Sequence, residues 1–340
     1  DYSQKYVWFD RFVLRPKVRG RDLLLQDYGI EPGYHMKVNP AYTFETMWGA
    51  PNPHKPHLQR PMSQMDPQVD EGLLLRLDKG QPNPRVRIFC FPWLGGNATA
   101  YLPLAQKIPK DLALYGLEMP GKGERETAEG YPTGEFAIEV MAKTLAKELK
   151  RPGSSYFFAH SQGTQFAYYV TKLLSKEFNV RPRALFVSSF AVPAAMQVSD
   201  LSGLRQRQNL CIPLRIFTGL IKGGWGTDPK LGYKSHMGAC AYQTMDVWPS
   251  ARSILTDWWI TKDFPLPGAD ETLDCSIVAF HGEADPAVSQ EQVEEWRGLS
   301  ADKSTFELIK MDGGHLWFSS SSRNCELLGE ELVRLARKFG

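Results

Sequence analysis

"SSYFFAHSQGTQFAYYVTKLL", residues 154–174, changes character twice. Tyr156, Phe157 and Phe158 form a short continuous apolar run, as a strand buried on both faces shows. Further on, Phe166, Val170, Leu173 and Leu174 recur at helical spacing and give a helix one inward face. Between them lies Ala159-His160-Ser161-Gln162-Gly163. A strand that becomes a helix within five residues bends sharply, and the small residues Ala159 and Gly163 let the two elements crowd together. Such a turn lifts the Ser161 hydroxyl above the sheet with a helix N-terminus behind it. The G-x-S-x-G pattern of that turn has alanine here at its first small position, a difference of one methyl group. The other reading of the same residues is a plain strand-to-helix junction with a capping serine. The rest of the chain decides between them.

Working outward, "VRIFCF" (86–91) and "LALYGL" (112–117) read as strands. "AIEVMAKTLAKEL" (137–149) reads as a helix with Ile138, Met141, Leu145 and Leu149 on one face. "ALFVSSF" (184–190), "SIVAFHG" (276–282) and "TFELIK" (305–310) are further strands, with helices near 289–298 and 323–338. Strands alternating with helices predict an α/β fold: a mostly parallel central sheet covered by helices on both faces. Two regions break the rhythm. Residues 1–80 mix aromatics, cations and a proline-rich stretch, "GAPNPHKPHLQRPMSQMDP", and read as an N-terminal arm or linker without readable chemistry. Residues 81–340 form the main domain. Within it, about 199–267 separates two core strands and is rich in apolar and aromatic residues, including Trp225 and Trp259. An insertion of this length between core strands points to a helical lid over a hydrophobic substrate chain; the alternative is a helical subdomain that supports the fold.

A nucleophilic serine needs a base within hydrogen-bond reach and a third group to orient that base. "SIVAFHGEADPAVS" supplies Asp285 just beyond a strand, and "TFELIKMDGGHLWF" supplies His315 beyond the last one. The order serine, acid, histidine, each on a loop after a core strand, is that of a known hydrolytic architecture. Asp312 sits three residues before His315 on one tight loop, where capping a turn suits it better. His160 and His281 read as packed structural histidines. An oxyanion hole would draw one backbone amide from Gln162, after the serine. The second would come from Trp93 or Leu94 in "FPWLGGNATAY" (91–101), where Gly95 and Gly96 let the loop fold back.

Composition excludes several classes. Forty basic against 38 acidic residues give a net charge of +2 with no dense basic run, so nucleic acid is not an expected partner. The five cysteines are scattered without a C-x-x-C pair, which suggests thiols in a reducing compartment rather than a disulfide framework or a zinc site. No stretch is apolar enough to span a bilayer. A cytoplasmic, monomeric protein is expected. The sequence opens at Asp1, which leaves a removed targeting peptide or excision from a larger polypeptide open.

With these pieces placed, residues 85–340 resemble the type II thioesterases of the α/β-hydrolase superfamily. Those editing enzymes of polyketide and nonribosomal peptide synthesis are related to the medium-chain thioesterase of fatty acid synthesis. The resemblance rests on "FPWLGGNATAY", "GLEMPGKGERE" (116–126), "FFAHSQGTQFAYYV", "FHGEADPAVS" and "GGHLWF". The sequence departs from the pattern at Ala159 and at Trp93-Leu94, where the family often has histidine and a small residue. The resemblance implies an α/β-hydrolase fold, Ser161, Asp285 and His315 as the catalytic set, and no cofactor or metal. It also implies an acyl thioester on the phosphopantetheine arm of an acyl or peptidyl carrier protein as substrate. An acyl-CoA or carboxylic ester hydrolase on the same residues, or a catalytically silent binding protein, remains the alternative. Lys122 and Arg125, in the "PGKGER" loop, are candidate cations for meeting the acidic face of a carrier; the alternative is a pair of solvated loop charges.

Overall fold

A computed structural model of the chain describes residues 66–125, 128, 130–195, 257, 260, 261 and 264–340. Seven strands of these residues form one sheet: β1 (Leu74–Arg76), β2 (Val86–Phe91), β3 (Leu112–Leu117), β4 (Ser154–His160), β5 (Ala184–Ser188), β6 (Ser276–Gly282) and β7 (Glu307–Met311). Their spatial order is β1-β3-β2-β4-β5-β6-β7. Every neighbouring pair is parallel except β1 with β3. The apolar runs therefore form a sheet buried on both faces.

Alternation along each strand sends side chains to two separate cores. Phe89, Phe91, Phe157, Ala159, Leu185 and Val187 pack with the helices α1 (Gly134–Leu149) and α2 (Gly163–Phe178). Ile88, Cys90, Tyr156, Phe158 and Phe186 pack with α3 (Ser322–Phe339) through Leu328, Leu332 and Leu335. The helices start where polar caps allow. Thr133 accepts the Phe136 amide at 3.1 Å before α1, and Ser321 accepts the Asn324 amide at 3.1 Å before α3. At its far end α2 stops at Asn179, which takes the left-handed conformation with φ 51°.

Three expectations need adjustment. The arm drawn as residues 1–80 gives up its last part to the sheet: Leu73 is fully buried and β1 pairs with β3 from Leu74↔Leu117 to Arg76↔Tyr115. The strand expected over 184–190 ends at Ser188, because Ser189 turns to φ 50°. The helix near 289–298 is α-helical only over Gln290–Glu294, opened by a Ser289–Gln292 capping box, and then tightens into a 3-10 turn, Glu295–Leu299. Most of the segment from 199 to 267, with Trp225 and Trp259, lies outside the described residues, as do residues 1–65. No helix among the described residues is long and apolar enough to cross a membrane.

Candidate active site

Ser161 follows β4 directly and holds φ 51°, a left-handed conformation that a non-glycine residue rarely adopts without local constraint. Two contacts impose it. The Ser161 amide donates to the Ser188 carbonyl on the neighbouring strand at 2.8 Å. On the helix side, a Cβ placed on Gly163 would lie 2.4 Å from the Phe91 carbonyl oxygen, so only glycine lets α2 approach the end of β2 this closely. Ala159 is fully buried within the sheet, and its methyl group is accommodated.

Across from the serine, the loop after β7 carries His315. Its Nε2 lies 2.8 Å from Ser161 Oγ, and its Nδ1 lies 2.9 Å from Asp285 Oδ2 and 3.1 Å from Oδ1. Asp285 stands in the turn after β6, with its side chain sealed from solvent. Burial pushes the Asp285 carboxyl pKa up. The hydrogen bond and charge of His315, with the Ala287 amide, outweigh that and hold it below the usual carboxylate value. An ionised carboxylate only accepts hydrogen bonds, so the proton shared with His315 sits on Nδ1. In the neutral imidazole, Nε2 is then left with a lone pair facing the Ser161 hydroxyl. That arrangement can take a proton from the serine and place the resulting charge beside Asp285.

The competing residues fall elsewhere. Asp312 is exposed, and its carbonyl, not its carboxylate, is engaged, by Asn324 Nδ2 at 2.7 Å. His160 is fully buried, 2.9 Å from Ser188 Oγ through Nδ1, with Trp93 and Phe318 edge-on to its ring. Burial, and then the nearby His315, push its pKa well down, so it stays neutral. His281 is also buried, and burial lowers its pKa against the pull of Asp285 and Glu291.

The loop 92–97 lies against the first turn of α2. Among the described residues, the amides of Trp93, Leu94 and Gln162 donate to no acceptor. Beside Gln162 lies a small pocket walled by Leu117, Met119, Met141 and Phe166 and by Lys122 and Asp257. Lys122 turns inward. It is buried and paired with Asp257 at 2.5 Å. Arg125, for its part, donates to Asp70 Oδ2 at 2.8 Å and to the Glu118 carbonyl at 2.9 Å. The expectation of two outward cations is thus corrected: the apolar neighbourhood draws Lys122 to an internal carboxylate, and Arg125 ties β1's approach to its own loop. The pairing with Asp257 crosses 135 residues of chain, and no local pattern in the sequence signals it.

A buried serine on a strained strand-to-helix turn, faced by histidine and acid from later strand ends of a parallel sheet, defines a serine hydrolase of α/β-hydrolase architecture. The particular kind follows from relatives. Residues 86–225 match the thioesterase domain family, a match that supports acyl-thioester hydrolysis as the activity. It is 26% identical over 252 residues to thioesterase PikA5 of Streptomyces venezuelae, covering 74% of this chain and 82% of that protein. It is 24% identical over 242 residues to the gramicidin S biosynthesis protein GrsT of Aneurinibacillus migulanus, covering 70% and 84%. The fold is similar to that of ClbQ from the colibactin NRPS/PKS pathway, with a TM-score of 0.59, 20% identity, and coverage of 75% of this chain and all of that one.

Proposed function

We propose that the protein hydrolyses acyl thioesters carried on the phosphopantetheine arm of an acyl or peptidyl carrier protein, with Ser161 as nucleophile, His315 as base and Asp285 as its orienting acid. The observation that carries this reading is the unbroken hydrogen-bond line from Ser161 Oγ through His315 to Asp285, at 2.8 and 2.9 Å. Ser161 Oγ attacks the thioester carbonyl carbon while His315 Nε2 takes its proton. The carbonyl oxygen becomes an oxyanion, held by the Gln162 amide and by an amide of Trp93 or Leu94. Collapse breaks the carbon–sulfur bond, and His315 returns the proton to the departing thiolate. Water, deprotonated by the same nitrogen, then releases the acid and restores Ser161. Relatives named for gramicidin S biosynthesis and for an NRPS/PKS pathway support a carrier-bound substrate. The free, buried cysteines Cys90, Cys275 and Cys325 support the reducing cytoplasm as its location. The segment at about 199–267, with Trp225 and Trp259, is proposed as the lid that covers the acyl chain.

Two measurements test the reading. A fluorophosphonate should add its mass at Ser161 alone, and Ser161→Ala should abolish both labelling and turnover. Matched acyl groups on a carrier protein, on coenzyme A and on p-nitrophenol should rank the carrier first in kcat/KM. Labelling at another serine would remove the nucleophile assignment, and a preference for coenzyme A or the ester would replace the carrier with a small substrate.

A further inference from the structure

The ion pair between Lys122 and Asp257 takes no part in the Ser161–His315–Asp285 line, yet it is among the most buried charged groups described. The two side chains are 2% and 3% exposed. Withdrawing two such charges from water costs several kcal/mol per ion, on the order that their attraction returns. The pair is also imperfect: among the described residues Asp257 Oδ1 is buried without a hydrogen-bond partner, and burial pushes its carboxyl pKa up even beside the ammonium group. Space filling does not require it, since methionine, leucine and phenylalanine side chains already wall the same pocket.

What charged side chains do here, and apolar ones cannot, is grip backbone. Asp257 Oδ2 accepts from the Gly95 amide at 2.7 Å, and Lys122 Nζ donates to the Gly96 carbonyl at 2.8 Å. Gly95 and Gly96 directly follow Trp93 and Leu94. The helical turn that bears Asp257 also reaches the other side of the serine. Thr261 Oγ1 accepts from Gln162 Nε2 at 2.5 Å and donates to the Asp257 carbonyl at 2.7 Å. Asp257 and Thr261 thus hold both the Gly95-Gly96 loop and the Gln162 side chain.

We propose that Lys122 and Asp257 are positioning residues of the oxyanion site: their ion pair pins the Gly95-Gly96 turn so that a loop amide meets the charge developing on the thioester oxygen. This rests on the oxyanion site proposed above. Two consecutive glycines let the loop approach the serine but give it wide conformational freedom, and the pair removes that freedom. Because an oxyanion is held far more strongly than a carbonyl, loss of the pair weakens the transition state and spares substrate binding.

The test removes both charges at once, so that neither is left buried alone. The double variant Lys122→Met, Asp257→Leu should keep or raise the melting temperature, as apolar replacement of buried pairs often does. Its kcat on an acyl thioester should fall roughly 10- to 100-fold, less than the roughly 10²–10³ lost when one oxyanion donor is removed outright, with KM within about twofold. Affinity for an acyl trifluoromethyl ketone, which forms a tetrahedral oxyanion on Ser161, should fall with kcat, while a non-hydrolysable thioether analogue should bind as before. The Lys122→Met, Asp257→Asn double variant keeps an acceptor for Gly95 and should lose less on both counts; it also carries the test if the leucine variant does not fold. A kcat within twofold of wild type, or equal loss of affinity for ketone and thioether, overturns the proposal. A wild-type enzyme that binds the ketone no better than the thioether would instead bring down the oxyanion reading beneath it.

Discussion

Asp285 and Asp312 are both candidates for His315 in the sequence, and in the structure it is Asp285 that lies against the imidazole. Asp285 is sealed against His315 Nδ1, whereas Asp312 points to solvent three residues away from it in the chain. Asp285→Asn should therefore lower turnover by about 10⁴-fold, the loss expected when the histidine adopts the wrong tautomer. Asp312→Asn should leave turnover nearly unchanged, and the opposite ranking would move the orienting acid. Titration adds a second residue-scale expectation. His160 is held neutral with its pKa well below the ordinary 6.5, so below that pH the unfolded chain binds a proton that the native state refuses. Stability should thus fall as pH drops from 7 to 5, most steeply below about 6.5, towards a limiting slope of about 1.4 kcal/mol per pH unit for each histidine that stays neutral. His281 acts in the same direction. Asp285 works lower on the scale: its depressed pKa contributes stability above the ordinary carboxylate value, which is lost as pH falls through the folded one. Urea midpoints measured across pH 5–7 should show a shallower slope for His160→Asn than for wild type. An unchanged slope would mean that His160 accepts a proton in the folded protein too.

Elements that bury whole apolar runs are legible in the sequence itself. β2, β3 and β6 match the expected strands residue for residue, because nothing but the inside of a parallel sheet tolerates such sequences. β1 is not legible in that way. It is three half-buried residues between Asp70-Glu71-Gly72 and Asp78-Lys79-Gly80, too short for alternation to register, and its reason for being a strand is the exposed edge of β3. Side-chain clamps hold it there. Asp70 Oδ2 accepts from Arg125 and, at 2.5 Å, from the Tyr131 hydroxyl, while Asp78 Oδ1 accepts the Leu114 amide just beyond the paired residues. Asp70→Ala leaves the half-buried Arg125, the buried Tyr131 hydroxyl and the Gly72 amide without this acceptor and should lower stability by about 1–3 kcal/mol. The urea midpoint reads this directly, and a change below about 0.5 kcal/mol, the usual range of surface substitutions, would show that β1 stays on the sheet without the clamp.

At the scale of the whole molecule, these described parts of the candidate site each follow the carboxyl end of a strand: loop 92–97 after β2, Lys122 after β3, Ser161 after β4, Asp285 after β6 and His315 after β7. Open parallel sheets collect their sites at that edge. This is why chain order alone brings Ser161, Asp285 and His315 into one expectation. Charge is different, because a lysine in a glycine-rich loop looks the same in sequence whether it faces a partner or a carboxylate 135 residues away. The "PGKGER" loop illustrates the point: Lys122 is internal, and Arg125 is partly covered and committed to Asp70. A charge-reversal experiment on this loop now has a definite expected outcome. Lys122→Glu would set a second carboxylate beside the buried Asp257, and Arg125→Glu would repel Asp70. If these cations served only to dock an acidic carrier, the double reversal would cut kcat/KM for an acyl carrier protein, steeply at low salt, and spare an acyl-N-acetylcysteamine thioester. Since both are structural partners, the variant should instead lose activity on the two substrates alike, with a lowered melting temperature and little dependence on salt. A selective, salt-sensitive loss on the carrier would show that the loop turns its charges outward when the carrier arrives.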